Sequence, residues 1–170
     1  MDIPTQARAV IIGGGVVGCS IAYHLGKLGW TDVVLLERKQ LTCGTTWHAA
    51  GLIAQLRATQ NMTRLAKYSQ ELYFGLEEET GVATGFKRNG SITVALTDER
   101  MEELRRSAAM ARAFGVEIDE ISPSDIHSRY PGLTVDDAVG GVWLPKDGQA
   151  DPVNITPVSY THLRAHETLL

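Results

Sequence analysis

The chain has 170 residues, of which 44% are hydrophobic and 21% charged, with a net charge of −4. This is ordinary for a globular domain or part of a larger one, and the absence of like-charge runs excludes a nucleic-acid footprint or a polybasic membrane anchor. Residues 9–19 are apolar but hold four glycines and are far too few to cross a bilayer, so no membrane association is expected. Two cysteines, Cys19 and Cys43, are too few for a disulfide framework, and no secretory leader or transit peptide is readable before residue 9. Both features point to a reducing, cytoplasmic setting.

In chain order, residues 9–12 (Ala-Val-Ile-Ile) form a short apolar run that stops at Gly13-Gly14-Gly15. The run reads as a strand buried on both faces. Val17, Ile21, Leu25 and Leu28 recur at helical spacing over residues 16–28, and Gly29 stops the helix. Residues 33–36 read as a second buried strand, ending at Glu37. Strand, helix and strand within about thirty residues make a right-handed βαβ unit.

Residues 38–51 are a loop rich in Gly and Thr, and a helix follows over 61–79 with Met62, Leu65, Leu72 and Leu76 on one stripe. Asn89-Gly90 between strand-like runs in 86–96 signals a hairpin. An amphipathic helix over 98–114 closes at Gly115, and a strand follows over 116–121. Ser122 and Pro123 cap and open a short helix that ends before Pro131. Residues 139–144 read as a strand and Asp147-Gly148 as a turn. Asp151-Pro152 is a good helix start, yet Pro157 arrives within two turns. Residues 157–170, PVSYTHLRAHETLL, show neither helical nor strand periodicity and are expected to be a non-native, adapter-encoded tail.

The chemistry concentrates at Gly13-x-Gly15-x-x-Gly18. Gly13 permits a tight turn, Gly15 lets backbone approach a pyrophosphate, and Gly18 allows close helix–strand packing. Val16 and Val17 open the helix, whose free N–H groups and positive end suit phosphates. Glu37 lies nineteen positions after Gly18, where a carboxylate accepts from a ribose diol. A glycine-rich turn that binds nothing is the plain alternative. Glu37 favours an unphosphorylated ribose, hence FAD or NAD, and the motif alone does not choose between them. Cys19 reads as a small packing residue.

The segment from Leu35-Leu36-Glu37-Arg38 through LTCGTTWHAAGL at 41–52 resembles the dimethylglycine and sarcosine dehydrogenase family of D-amino-acid-oxidase-like flavoproteins. There the stretch reads close to SGTTWHxAGL. The resemblance continues through Glu77-Glu78-Glu79-Thr80-Gly81, Asn89-Gly90, Tyr130-Pro131 and residues 147–152, and covers residues 8–156. It implies FAD bonded covalently through His48 at the flavin 8α carbon, with Arg38, Gly44, Thr45 and Thr46 beside the cofactor. Cys43 is a rival attachment point, ranked lower because it falls at a small polar position of the family.

The resemblance further implies oxidation of a methylated glycine such as sarcosine or dimethylglycine by hydride transfer to FAD. The iminium product would be hydrolysed to formaldehyde or captured by tetrahydrofolate on a C-terminal domain outside this chain. An electron-transfer flavoprotein would re-oxidise the flavin. The alternatives are an amine or amino-acid oxidase using oxygen, or a non-catalytic FAD-binding fragment; a nicotinamide enzyme is argued against by the WHAAG segment.

The expected fold class is α/β: a Rossmann-like FAD-binding βαβ segment over 1–80 and the start of an antiparallel α+β substrate domain over 81–156, with the tail at 157–170. The chain reads as a truncated N-terminal portion, and no catalytic residue is assigned. His24 reads as a surface residue or one that backs the site from behind, His127 as a solvated residue, and His162 and His166 fall in the tail. No metal motif is visible. Glu77-Glu78-Glu79 and Glu102-Glu103 read as exposed helix faces, and Tyr130 and Trp143 as packing residues.

Overall fold

The computed structural model describes residues 4–164, with side chains through residue 158. Its contacts divide the chain into two units, the first formed by residues 4–52, Glu71–Phe86 and 150–164, the second by Ile53–Gln70 and Lys87–Gln149. The mixed α/β class expected from the sequence is what the structure has.

In the first unit β1 (Ala9–Ile12) pairs in parallel with β2 (Val33–Leu36), from Ala9 opposite Val33 to Ile12 opposite Leu36. The helix α1 (Val16–Lys27) connects them. Ile11, Val33 and Leu35 form a core with Cys19 and Ala22 of α1. Successive strand residues face opposite ways, so Val10 and Ile12 point away from this core and are 55% and 87% exposed. β1 is therefore buried on one face, not two. The buried stripe of α1 also differs from expectation: Gly18, Cys19, Ala22 and Tyr23 are buried, while Val17 and Ile21 are exposed. Small side chains at Gly18, Cys19 and Ala22 let the helix approach β1 closely, and Val17 and Ile21 are turned outward.

Residues 45–48 form a 3-10 turn within the long loop after β2. The C-terminal half of α2 (Gln60–Thr80) belongs to this unit and contributes Leu76, which packs with Tyr23 and Val158, all three fully buried. The Tyr23 hydroxyl donates to Glu79 Oε2 at 2.8 Å, and Lys27 Nζ lies 3.4 Å from Glu79 Oε1. Glu77, Glu78 and Glu79 are exposed as expected, and Glu79 in addition ties α2 to Tyr23 and Lys27 of α1.

The helix α5 (Pro152–Arg164) begins as expected: Asp151 Oδ1 accepts from the N–H groups of Val153 (2.8 Å) and Asn154 (3.4 Å). It then runs on through Pro157, where the sequence suggested a break. A proline inside a helix removes one hydrogen bond. Burial of Ile155, Thr156 and Val158 on the inner side offsets that loss. His162 lies on α5; His166 lies outside the described residues.

The second unit is built on three antiparallel strands in the order β4 (Ser91–Ala95), β6 (Gly140–Leu144), β5 (Asp119–Ile121). β3 (Leu52–Ile53) and β7 (Gly148–Gln149) are two-residue strands. The helix α3 (Asp98–Ala113) starts at Thr97, whose hydroxyl accepts from Arg100 N–H at 3.2 Å. Its Met101, Leu104, Ala108 and Ala111 form a core with Ala95, Val116, Ile118, Val142 and Leu144. Val116 and Ile118 contribute core side chains, but residues 116–118 are not strand; β5 starts only at Asp119. The short helix α4 (Pro123–Arg129) carries a full capping box, with Asp125 in the position usually held by Glu or Gln.

Asn89-Gly90 does not close a hairpin. Lys87 on one side bridges Gln149, and Ser91 on the other pairs with Leu144. Both flanks therefore pair with the 140–149 segment. Gly90, at φ +74°, turns the chain between them while its N–H donates to the Asp147 carbonyl at 2.8 Å. The buried Asp147 carboxylate accepts from Gln55 N–H (2.9 Å) and the Ser91 hydroxyl (2.6 Å).

Candidate functional site

The end of β1, the glycine turn and the start of α1 border an open cleft of about 860 Å³ in the first unit. Apolar groups of β1 and α1, among them Val10, Ile12, Val17 and Ile21, line it together with Gly13, Gly15, Gly18, Glu37, Gly44, Thr45 and Thr46. A cleft of this size and lining suits a cofactor-sized ligand.

Each glycine of the motif has its own reason. Gly13 sits at φ +110°, in a region that side-chain-bearing residues avoid. Its N–H donates to the Leu36 carbonyl at 2.8 Å, extending the β1–β2 pairing into the turn. A Cβ on Gly15 would stand 3.0 Å from Thr46 Oγ1, and one on Gly18 would run into the Gly13 carbonyl oxygen. Gly14, to which the motif assigns no part, is equally constrained: a Cβ there would collide with Leu41 and press on Glu37. Gly14 N–H instead donates to Glu37 Oε2 at 2.8 Å.

Glu37 is held twice, by Gly14 N–H and by Lys39 N–H, which reaches Oε1 at 3.0 Å. These bonds, with Gly14 the larger influence, hold its carboxyl below the usual glutamate range. Beneath the turn the buried Cys19 thiol donates to the Gly14 carbonyl at 3.7 Å. Burial, and secondarily the charge of Glu37, push that thiol up to about 11. Cys19 is therefore a packing group, as its sequence position suggested, whereas Cys43 is exposed.

The loop after β2 folds back onto the turn. Thr42 N–H donates to the Gly14 carbonyl at 3.1 Å, and Val16 N–H donates to Thr46 Oγ1 at 3.1 Å. Thr42 is buried at φ +71°, a conformation that nothing in a β-branched residue's sequence context announces. Thr46 takes one of the free donors at the start of α1. Among the described residues nothing accepts from the N–H of Gly15, Val17 or Gly18, and all three line the cleft. Such donors, together with the helix dipole, favour an anion.

Two residues singled out from sequence stand apart. Arg38 is exposed and does not line the cleft. His48 ends the 3-10 turn, is exposed, and lies against Trp47 with ring centroids 4.1 Å apart. It too is absent from the lining, though its neighbours Thr46 and Ala49 belong to it. Among the described residues no helix is long and apolar enough to cross a membrane.

Known proteins resemble this chain in sequence and in fold. The chain is 43% identical over 151 residues to mitochondrial sarcosine dehydrogenase of Mus musculus, covering 88% of this chain and 16% of that protein. It is also 43% identical over 165 residues to mitochondrial dimethylglycine dehydrogenase of Rattus norvegicus, covering 97% of this chain and 19% of that protein. Among solved structures, L-proline dehydrogenase from P. horikoshii superposes with a TM-score of 0.90 at 29% identity, covering 99% of this chain and 44% of that one. The chain thus spans less than a fifth of the length of these two relatives. Residues 8–167 match the family described as DAO: FAD dependent oxidoreductase, and the chain belongs to that family.

Proposed function

We propose that the cleft holds FAD and that the protein oxidises the C–N bond of a methylated glycine such as sarcosine or dimethylglycine. The observation that carries the flavin reading is the row of N–H groups of Gly15, Val17 and Gly18, without an acceptor among the described residues, on the wall of a cleft that Glu37 also lines. The pyrophosphate would rest on these N–H groups, beside Val16 and the turn at Gly13. Glu37 would accept from the ribose diol, its orientation fixed by Gly14 and Lys39. Gly44, Thr45 and Thr46 would supply backbone N–H and hydroxyl groups along the cofactor, and Arg38 would stand beside it. His48 would tether the flavin through an imidazole nitrogen to its 8α carbon. The bound flavin supplies a hydride acceptor; the protein supplies binding, orientation and electronic tuning.

The substrate reading follows the 43% identity to a sarcosine and a dimethylglycine dehydrogenase. A hydride leaves the N-methyl carbon readily only when the nitrogen lone pair is free, so the rate rises with pH through the substrate amine pKa. The resulting iminium is hydrolysed to formaldehyde or passed to tetrahydrofolate elsewhere in the protein, and an electron-transfer flavoprotein takes the electrons onward.

The test is acid precipitation of the full protein. Flavin absorbance that stays with the pellet, and leaves it in His48→Ala, supports the tether; retention in His48→Ala but loss in Cys43→Ser moves it to Cys43. Sarcosine or dimethylglycine should then bleach the flavin anaerobically and yield formaldehyde. Peroxide release in air points to an oxidase. Flavin in neither fraction overturns the reading.

A further inference from the structure

The second unit holds a separate cavity of about 360 Å³, bordered by the Asn89-Gly90 turn, one face of β4 and β6, and the end of α4. Strand alternation decides what forms its floor. Ile92 and Val94 of β4 stand opposite Trp143 and Gly141 of β6, on the sheet face away from the α3 core to which Ala95, Val142 and Leu144 belong. Ile92, Val94 and Trp143 therefore make an apolar floor, and Leu133 extends it.

Three polar residues line this cavity: Asn89, Arg129 and Tyr130. Arg129 is the last residue of α4, and its guanidinium carbon lies 4.8 Å from the centre of the Trp143 ring. That ring is itself fixed. A Cβ on Gly90 would collide with its six-membered edge, so indole and turn backbone are in direct contact. Arg129 thus lies over an anchored surface, and this contact restricts its guanidinium.

Yet no described carboxylate or carbonyl accepts a hydrogen bond from Arg129, and no described group pairs with the Asn89 amide or the Tyr130 hydroxyl. Asp125 feels the charge of Arg129 but makes no hydrogen bond to it; its Oδ2 serves the capping box, accepting from Ser122 N–H (3.0 Å) and the Ser122 hydroxyl (2.6 Å). One oriented guanidinium, two further hydrogen-bonding groups and an apolar floor define a complementary ligand. A single planar anion matches the fork, and a compact hydrocarbon body matches the floor.

We propose that the cavity between the Asn89-Gly90 turn, the β4–β6 face and Arg129 binds a small monocarboxylate with an apolar body. The site lies within the second unit and does not rest on the flavin reading. A phosphate fits it less well, carrying more charge than one guanidinium neutralises and nothing for the floor.

The experiment is titration of the full chain with isovalerate, followed by tryptophan fluorescence, with 3-methylbutan-1-ol and inorganic phosphate as comparison probes. Isovalerate should give saturable quenching that is absent in Trp143→Phe, and the alcohol should bind at least ~10-fold more weakly. Arg129→Gln should weaken isovalerate by a similar factor; Arg129→Lys, which keeps the charge but not the fork, should fall between. Arg129 is exposed, so far-UV circular dichroism should not change. Asn89→Ala gives a second variant with a smaller expected loss. The proposal is overturned by absence of saturable quenching in the millimolar range, by equal affinity in Arg129→Gln, by equal binding of the alcohol, or by phosphate binding as tightly as isovalerate.

Discussion

Val158 decides whether the end of the chain is part of the fold. Its side chain is fully buried against Tyr23 and Leu76, six residues into a helix whose start the sequence announces but whose continuation through Pro157 it does not. Val158→Ala removes two buried carbons, worth about 1.6 kcal/mol at ~0.8 kcal/mol per methylene. The void left between Tyr23 and Leu76 adds roughly 1 kcal/mol, because a tyrosine held by Glu79 and a mid-helix leucine have little room to collapse inward. The total is about 2.5 kcal/mol. With a urea m-value of about 2 kcal/mol/M, the unfolding midpoint should fall by about 1 M. Val153→Ala is the control, since Val153 sits on the same helix but is 42% exposed, and should shift stability by less than ~0.5 kcal/mol. Urea titrations of the three proteins check this. Equal midpoints for Val158→Ala and the parent would refute the docking of α5 and return residues 157–164 to the status of a tail outside the fold.

Gly18→Ala drives a Cβ into the Gly13 carbonyl oxygen and to 3.4 Å from Ile11 Cγ2. It should cost about 1–3 kcal/mol and lower FAD affinity, read by flavin fluorescence, by at least ~10-fold. Gly44→Ala meets open space and should leave stability within ~0.5 kcal/mol. Because the folded Glu37 carboxyl lies below its usual range, its contribution to stability is complete above the unfolded pKa and disappears as pH falls through the folded value. Acid titrations should therefore show a shallower loss in Glu37→Gln than in the parent; parallel curves would contradict the Gly14 bond. At pH 8 a thiol reagent should label exposed Cys43 quickly and buried Cys19, with its thiol pushed up to about 11, only after denaturant is added.

Much of the first unit is legible in the sequence because its signals are local. A Val/Ile run before three glycines can hardly be other than a strand meeting a tight turn, and Glu37 ends the next such run. What the pattern misjudges is which side of α1 faces inward. A periodic stripe of Val17, Ile21 and Leu28 looks like a core face, but close packing on β1 selects Gly18, Cys19 and Ala22. Counting large apolar residues misses a contact made by small ones. The Asn89-Gly90 misreading has a different origin. Turn chemistry is local and was legible, whereas the partner of each flank is set by residues 140–149, some fifty positions away. Pro157 shows the same limit, since burial supplied by Tyr23 and Leu76 outweighs a local preference.

The glycine turn and the loop after β2 also have to be understood together. Gly14 donates to Glu37 and accepts from Thr42, and the donor two residues along, at Val16, is taken by Thr46. The loop is therefore a wall of the cleft, fixed to the turn from both ends, and not a flap lying over it. This explains why Gly14 admits no side chain although the dinucleotide motif leaves that position open. It also bears on Glu37. A carboxylate offers about four acceptor positions, and the bonds from Gly14 and Lys39 use two of them. The two that remain are enough for a ribose diol, and the two already used fix the oxygens before any ligand arrives. The acidic residue at the end of β2 is in this sense a structural member of the turn first, and its suitability for a cofactor follows from how the turn holds it.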